Sequence, residues 1–284
     1  MLRCFAILLW LPSYNSRILP CDTSLVQVST VAGSIGLSQP SGIAISHLNI
    51  MYISDSGNNA IRAMNLSAPG SSWLQGAWAA PASLPPTYVE GALSTTARFS
   101  LPRALAYSRC SGVLYVADSL NHVVRVLQPY PTNVSTDLVA GKPTQTGSSD
   151  GIGSAASFDQ PLGLALSPSC AAPVLYVSEK NSNVVRSINL VTRAVATILG
   201  SGAGASTNGI GTSATFYRPQ HLALDTLGSR LVFGNFVRCV CVCARARARR
   251  ALCWLLVITV YSHALPSPSS LLPPPPHLSP FYLK

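Results

Sequence analysis

The chain has 284 residues, of which 48% are hydrophobic and only 10% are charged. This balance excludes a wholly disordered chain, because such chains are poor in apolar residues. The formal net charge of +10 does not indicate a nucleic-acid partner: six basic residues and no acidic residue fall in residues 237–284, whereas nucleic-acid recognition needs basic side chains clustered on one face.

Residues 1–25 form a leader, in which residues 2–11 are basic and then apolar. This run has the length of the apolar part of a secretory signal and is too short to span a bilayer. A signal peptide is one interpretation and favours secretion. A mis-started reading frame is the other, because the small-x-small cleavage pattern is missing. N-x-S sequons at Asn65 and Asn133 are candidate N-glycosylation sites that agree with secretion.

Residues 26–236 contain an internal repeat. Each copy starts with Pro and small apolar residues, continues with an apolar run that contains Tyr, and ends with Ile/Val-Arg. An acidic residue lies seven positions before each Arg, and this register is kept over three copies, which chance does not produce. A fourth copy begins at Pro219 and loses the pattern after Phe233. The recurring polar residues are Asp55, Asn58 and Arg62; Asp118, Asn121, His122 and Arg125; and Glu179, Asn183 and Arg186.

Each copy is interpreted as four short strands. The second strand, such as residues 113–117, is apolar on both faces, which indicates a central strand packed between neighbouring sheets. A polar turn follows it, because Asp and Asn bond their own backbone and tolerate left-handed conformations. The third strand carries the Arg, and we expect the fourth strand at residues 28–33, 134–141 and 195–200.

A second motif links the copies. An acidic residue or Asn is followed by Gly, and then by Ala-x-Phe-x-x-Pro, in which the final Pro is Pro102, Pro161 or Pro219. Leu37 stands in the place of the Phe before Pro40. We expect the Gly to take a positive φ in a tight turn, and the Phe to fill the space between consecutive sheets. Residues 67–96 are the least regular and are predicted to form a long loop.

The pattern Pro-x-Gly-[Ile/Leu]-Ala, then [Leu/Met]-Tyr-[Val/Ile]-[Ala/Ser]-[Asp/Glu]-x-x-Asn-[His/Asn]-x-[Ile/Val]-Arg, resembles the NHL repeat over about three-quarters of the chain. That family forms β-propellers, usually of six blades. The resemblance therefore implies an all-β fold, a partial or open propeller of about four four-stranded blades. Because a blade needs neighbours on both sides, we expect a fragment of a larger propeller or a mis-spliced gene model, with four-bladed closure as the alternative.

Residues 237–284 do not continue the repeat. Alternating Cys-Val and Ala-Arg are what simple nucleotide repeats encode, and the Pro-rich end is typical of disorder. We therefore expect a low-complexity, disordered tail. Two other interpretations are less favoured. Cys239, Cys241 and Cys243 lack the paired spacing of metal ligands, and the apolar segment 251–265, the one candidate for a membrane contact, is shorter than the ~20 residues of a spanning helix.

The recurring Arg residues have two interpretations. A ring of basic side chains would bind an anionic ligand, but recurrence in every copy favours structural pairing with the acidic residue across the hairpin.

Cys110 and Cys170 occupy the same hairpin in adjacent copies and would form a disulfide in a secreted protein, although two separate thiols are the favoured interpretation. His47, His122 and His221 fall at different places in the repeat. No metal, cofactor or catalytic residue is therefore predicted.

The resemblance implies a binding or interaction scaffold more than an enzyme, because NHL propellers bind other molecules through their loops and central channel. The expected partner is a protein or a small extracellular ligand. Two alternatives stay open. A metal-dependent propeller lyase or hydrolase would need His or acidic side chains converging in the channel, and an RNA-binding NHL module would need a continuous basic face.

Overall fold

The computed structural model describes residues 36–67, 72–73, 87–92, 96–128, 135–225, 230–235, 239–244 and 258–259. In these residues the regular structure consists of strands and short 3-10 turns, and the strands form four antiparallel sheets. The prediction of an all-β, propeller-like fold is confirmed.

Each sheet is one blade, and its first full-length strand begins at the Pro of a repeat copy. Blade one contains β1 (Pro40–Ile45), β2 (Ile50–Asp55), β3 (Ala60–Asn65) and β4 (Ser72–Trp73), and blade two contains β5 (Gly91–Ala92), β6 (Pro102–Tyr107), β7 (Leu114–Asp118), β8 (Val123–Leu127) and β9 (Ser135–Ala140). Blade three contains β10 (Gly151–Ile152), β11 (Pro161–Leu166), β12 (Val174–Glu179), β13 (Val184–Asn189) and β14 (Ala194–Leu199), and blade four contains β15 (Pro219–Leu224), β16 (Arg230–Asn235), β17 (Cys239–Ala244) and β18 (Ile258–Thr259).

The strand register repeats from blade to blade. The Pro that begins the first full-length strand lies opposite the acidic residue that ends the second, and a β-bulge follows the Pro. Further along, an Ala lies opposite the Tyr of the second strand, so the recurring Tyr residues share one setting. These pairs are Ala44 with Tyr52, Ala106 with Tyr115, and Ala165 with Tyr176.

The linker motif adds a strand that the sequence did not predict. Gly91 pairs with Thr136 and Gly151 pairs with Val195, so each linker lies along the outer strand of the blade that follows it. Blades two and three therefore have five strands.

The expected positive φ of the linker Gly is found at Gly91, where φ is +126°, but not at Gly151 or Gly209. At those two positions a Cβ would lie 2.8 Å from the backbone of Ala155 and 2.6 Å from that of Ala214. Close backbone approach, and not the dihedral angle, therefore requires glycine there.

Two predicted boundaries need correction. Blade one takes its fourth strand from β4, inside the stretch predicted as a loop, while residues 28–33 lie outside the described residues. Blade four takes β17 and β18 from the predicted disordered tail. The alternating Cys-Val sequence of β17 is rich in β-branched residues and suits an extended strand, so the fourth sheet continues past residue 236.

The hydrophobic core consists of clusters that lie between consecutive blades. Phe99 belongs to the cluster between blades one and two, Phe158 to the next, and Phe216 to the cluster between blades three and four. All three rings are buried, as the linker motif predicted. Each stabilises the contact between blades by about 1.5–3 kcal/mol.

Candidate functional site

A buried Arg joins the start of the linker motif to the centre of the blade. In blade two, Arg125 donates from Nη1 to Asp118 and from Nη2 to Glu90, both at 3.1 Å, and its side chain has no exposed surface. Glu90 comes from the acidic-residue–Gly pair of the linker, and the sequence pattern does not predict that its carboxylate pairs with the Arg. Blade three repeats the arrangement with Arg186, Glu179 at 2.7 Å and Asp150 at 2.6 Å.

The same guanidinium group also holds the linker backbone. Arg125 donates to the carbonyl oxygen of Val89 at 2.6 Å and to that of Arg98, and it lies 4.6 Å from the centre of the Phe99 ring. Arg186 donates to the carbonyl oxygens of Ser149 and Ser157 in the same way. An anionic ligand at these two positions would have to displace groups of the protein itself.

The carboxylates of this network have shifted pKa values. Burial raises the pKa of Asp118 to about 6, although Arg125 and hydrogen bonds from Asn121 and Ser100 oppose the shift. Burial also raises the pKa of Glu179.

Asp150 is half exposed, and its pKa is lowered overall. Partial burial would raise this pKa, but hydrogen bonds from Thr197 and the charge of Arg186 outweigh it. These differences in pKa follow burial, because ionising a carboxylate costs more free energy inside the blade than at its surface.

The polar turn after the second strand links each blade to the next. His122 has a φ of +59°, and its Nδ1 accepts a hydrogen bond at 3.3 Å from the backbone N–H of Gln160, just before Pro161. The sequence pattern does not predict this contact, because the donor is a backbone group. Asn59 accepts from Leu101 and Asn183 accepts from Arg218, each at 2.8 Å.

The turn residue one position earlier bonds the acidic residue of its own blade. Asn58 donates to Asp55 and Asn121 donates to Asp118, each at 2.8 Å. Blade three has Ser182 at this place, which donates to Glu179 at 2.8 Å. In each blade the recurring Arg and the turn residue three positions after the acidic residue thus meet around one carboxylate, whereas His122 and Asn183 bond to the following linker.

Blade one differs at its Arg. Arg62 donates from Nε to Asp55 at 3.1 Å, and 27% of its side-chain surface is exposed. Within the described residues no second carboxylate pairs with it, whereas Arg125 and Arg186 each have two.

A different set of side chains lies where the four inner strands run side by side. β1, β6, β11 and β15 contact one another in that order. Each begins with the bulge after its Pro, and bulges re-aim the side chains that they carry. The residue directly after the Pro is half-buried in every blade but differs in chemistry; we call this set the first-strand face. It comprises Ser41, Arg103, Leu162 and Gln220.

The histidines lie apart from one another. His47 Nδ1 is 2.8 Å from the hydroxyl of Tyr107, His122 lies at the turn described above, and His221 is exposed on β15. Partial burial lowers the pKa of His221, and Arg103 adds to the shift. No three His, Cys, Asp or Glu side chains converge as a metal site in the part of the chain that the structure describes.

Cys110 and Cys170 form a disulfide, with Cα atoms 5.6 Å apart, between the first hairpins of blades two and three. The favoured interpretation of two separate thiols is therefore not what the structure shows. Asn65 ends β3 and accepts a hydrogen bond from the Ser67 N–H, while Asn133 lies outside the described residues.

The leader, residues 1–25, and the side chains of Cys239, Cys241 and Cys243 also lie outside the described residues, so the signal peptide stays a prediction. No helix among the described residues is long and apolar enough to cross a membrane. Residues 251–265 are described only at β18.

Comparison with curated proteins supports the repeat assignment. NHL repeat-containing protein 2 of Bos taurus is 28% identical over 166 residues, which cover 56% of this chain and 22% of that protein. The Homo sapiens protein of the same name is 25% identical over 57% of this chain and 22% of its own length. Protein SUPPRESSOR OF QUENCHING 1, chloroplastic, of Arabidopsis thaliana is 30% identical over 54% of this chain and 14% of its own. No family model matches the chain.

Solved structures show the same fold. A protein of unknown function from Bacteroides thetaiotaomicron has a TM-score of 0.55 and 17% identity, over 70% of this chain and 45% of its own. An auxiliary nutrient binding protein from the same species has a TM-score of 0.52 and 14% identity, over 68% and 44%. The class is thus a β-propeller. Within that class the chain is similar to curated proteins with NHL repeats, as its sequence predicted, and it spans about a fifth of the length of the relatives named NHL repeat-containing protein 2.

Proposed function

We propose that the protein is a binding scaffold that recognises a protein or a small extracellular ligand through its blade loops and first-strand face. NHL-repeat relatives and propeller-like neighbours, one of them named as a nutrient binding protein, support a binding scaffold in general terms. One observation carries the finer proposal. The recurring polar side chains are engaged inside the blades, whereas the first-strand face carries polar groups that differ from blade to blade and keep exposed surface.

The difference between the recurring buried residues and the varying first-strand face follows from the structure of a repeat. Residues that hold every blade together must recur, so they cannot distinguish one ligand from another. Variable side chains on rigid, adjacent strands are held in fixed relative positions, which reduces the entropy lost on binding. Arg103 supplies a cation and Gln220 an amide at equivalent positions two blades apart, and this pair favours a ligand with acceptor groups.

The test is a selection of peptides from a displayed random library on the full chain. Binding of the selected peptides is then measured on the double variant Arg103→Ala, Gln220→Ala. We expect at least tenfold weaker binding, which corresponds to about 1.4 kcal/mol.

Arg193→Ala is the matched control, because Arg193 is half exposed and pairs with Asp137 away from this face. Peptides that bind both variants as tightly as the unmodified protein would contradict the proposal.

A further inference from the structure

We infer that Asn65 carries an N-linked glycan, which places a sugar chain at the end of blade one that holds its first hairpin. The inference does not depend on the proposed function. It rests on the sequon Asn65-Leu66-Ser67, on the free side-chain nitrogen of Asn65, and on a disulfide that forms in the compartment where such glycans are attached.

The sequon lies where β3 ends. Asn65 is the last residue of β3 and is half-buried, and Ser67 is exposed. The Asn65 Oδ1 accepts a hydrogen bond from the Ser67 N–H at 2.9 Å. The Asn65 Nδ2, which is the atom that receives the sugar, has no hydrogen-bond partner among the described residues. A glycan on this nitrogen therefore displaces no hydrogen bond of the described part of the blade.

Blade three has the same turn without the sequon. Asn189 also ends the third full-length strand of its blade and stands three positions after the recurring Arg. Its Oδ1 accepts a hydrogen bond from the Val191 N–H at 3.0 Å, as that of Asn65 accepts from Ser67. The hydroxyl that glycosylation requires two positions after the Asn is present in blade one and absent from this turn of blade three. Asn65 and Asn189 are therefore a matched pair that differs in the sequon.

The Cys110–Cys170 disulfide is an independent observation that points to the same modification. It joins the first hairpins of two adjacent blades. Such bonds persist in oxidising compartments such as the secretory pathway, whereas cytosolic thiols are kept reduced. Asn-x-Ser sequons are modified in secreted proteins. A chain that forms this disulfide as it folds therefore also meets the glycosyltransferase.

The glycan is attached far from the first-strand face. Asn65 lies opposite Ile50 at one end of the blade, and Pro40, next to Ser41, lies opposite Asp55 at the other end. Ile50 and Asp55 are the first and last residues of β2, which spans roughly 17 Å at about 3.3 Å per residue. The sugar therefore shields the first hairpin of blade one and leaves the opposite end for ligands.

The test is mass spectrometry of the full chain, expressed with its own leader in cultured eukaryotic cells. Peptide N-glycosidase converts a glycosylated Asn to Asp, so release of the sugar in heavy-oxygen water marks each modified position. We expect a mark at Asn65 in the parent protein and in Ser67→Thr, which keeps the sequon. The mark should be lost completely in Ser67→Ala, which leaves Asn65 in place. Trypsin cleaves at Arg98 and Arg125 and so separates Asn65 from the second sequon at Asn133.

Val191→Ser is the matched variant, because it gives Asn189 the same sequon in the same turn, and Val191 is 71% exposed. We expect a mark at both Asn189 and Asn65 in this variant, and at Asn65 without Asn189 in the parent protein. A mark at Asn189 alone would mean that the chain meets the glycosyltransferase and that Asn65 is not accepted. No mark at either position would mean that the chain does not meet it. Either result would overturn the inference.

Discussion

Single residues decide how firmly each blade is closed, and the buried Arg of blade two gives the clearest test. Arg125→Gln leaves Asp118 buried without its cation, and losing one partner of a buried ion pair costs about 3–5 kcal/mol. Arg62→Gln, at the partly exposed equivalent position, should cost about 1 kcal/mol or less. Urea unfolding at pH 8, above the pKa of about 6 that Asp118 has in the unmodified protein, measures both losses. Equal losses would contradict the structural role of Arg125.

His122 makes the contact between blades two and three sensitive to pH. Its Nδ1 accepts a hydrogen bond and must be unprotonated, and burial lowers its pKa although Asp159 opposes the shift. The unfolded chain therefore binds the proton more readily. Stability conferred by neutral His122 is present above about pH 6.5 and is lost as the pH falls through that value towards the lower folded pKa.

The variant His122→Asn introduces the side chain that Asn59 and Asn183 use at the same place and has no titratable group. We expect the unmodified protein to lose more stability than this variant between pH 7.5 and 5.5, by at most about 1.4 kcal/mol per pH unit. Urea unfolding at both pH values gives the comparison. An identical pH dependence for the two proteins would show that His122 is not the sensor.

At the scale of strands and turns, the sequence predicts the strands whose residues recur with a fixed spacing. It does not predict strands and contacts that lack such a recurring pattern. The strands that carry Tyr115 and Arg125 were predicted because apolar and polar residues recur there in register. β5 and β10 were missed because two residues have no period and their pairing partners lie more than 40 positions away. The acceptor role of Asn59 was missed for a related reason, since the backbone N–H of Leu101 leaves no mark on the sequence.

Close packing between first strands explains the Gly after Pro-x in blades one and three. A Cβ on Gly163 would lie 2.5 Å from the carbonyl oxygen of Gln220 in the next blade and 2.7 Å from the Ser178 hydroxyl. Gly163→Ala should therefore cost about 1–3 kcal/mol, the usual cost of overpacking. Gly204→Ala is the control, because a Cβ there meets its neighbours at 3.4 Å or more. The difference in urea midpoint between the two variants measures the effect, and similar midpoints would count against close packing.

For the molecule as a whole, stability comes from contacts between neighbours, as in other repeat architectures. Each apolar cluster contains residues from two blades and the linker between them. The repeat pattern by itself was therefore enough to predict a stack of similar sheets. It could not predict the site of recognition, because the residues of the first-strand face do not recur. Arg103 and Leu162 occupy the same position in two repeat copies. Their different chemistry shows from the sequence that this position varies, but it does not show that the two side chains lie on adjacent strands.

The contact between blades two and three is fixed at both ends of the strands, by His122 at the turn and by the Cys110–Cys170 disulfide at the first hairpins. The disulfide closes a loop of about one repeat, and chain entropy gives it a stabilising effect of about 2–4 kcal/mol. The double variant Cys110→Ser, Cys170→Ser should unfold at correspondingly lower urea than the oxidised protein. Dithiothreitol should bring the unmodified protein to the same midpoint, while the variant should not respond.

Differential alkylation followed by peptide mapping identifies the bonded cysteines among the eight in the chain. Recovery of Cys110 and Cys170 as free thiols from protein purified without reductant would contradict the pairing. Their recovery as one linked peptide would require an oxidising compartment during folding, because cytosolic thiols are kept reduced. The stability of this propeller would then depend on where the chain folds as well as on its repeats.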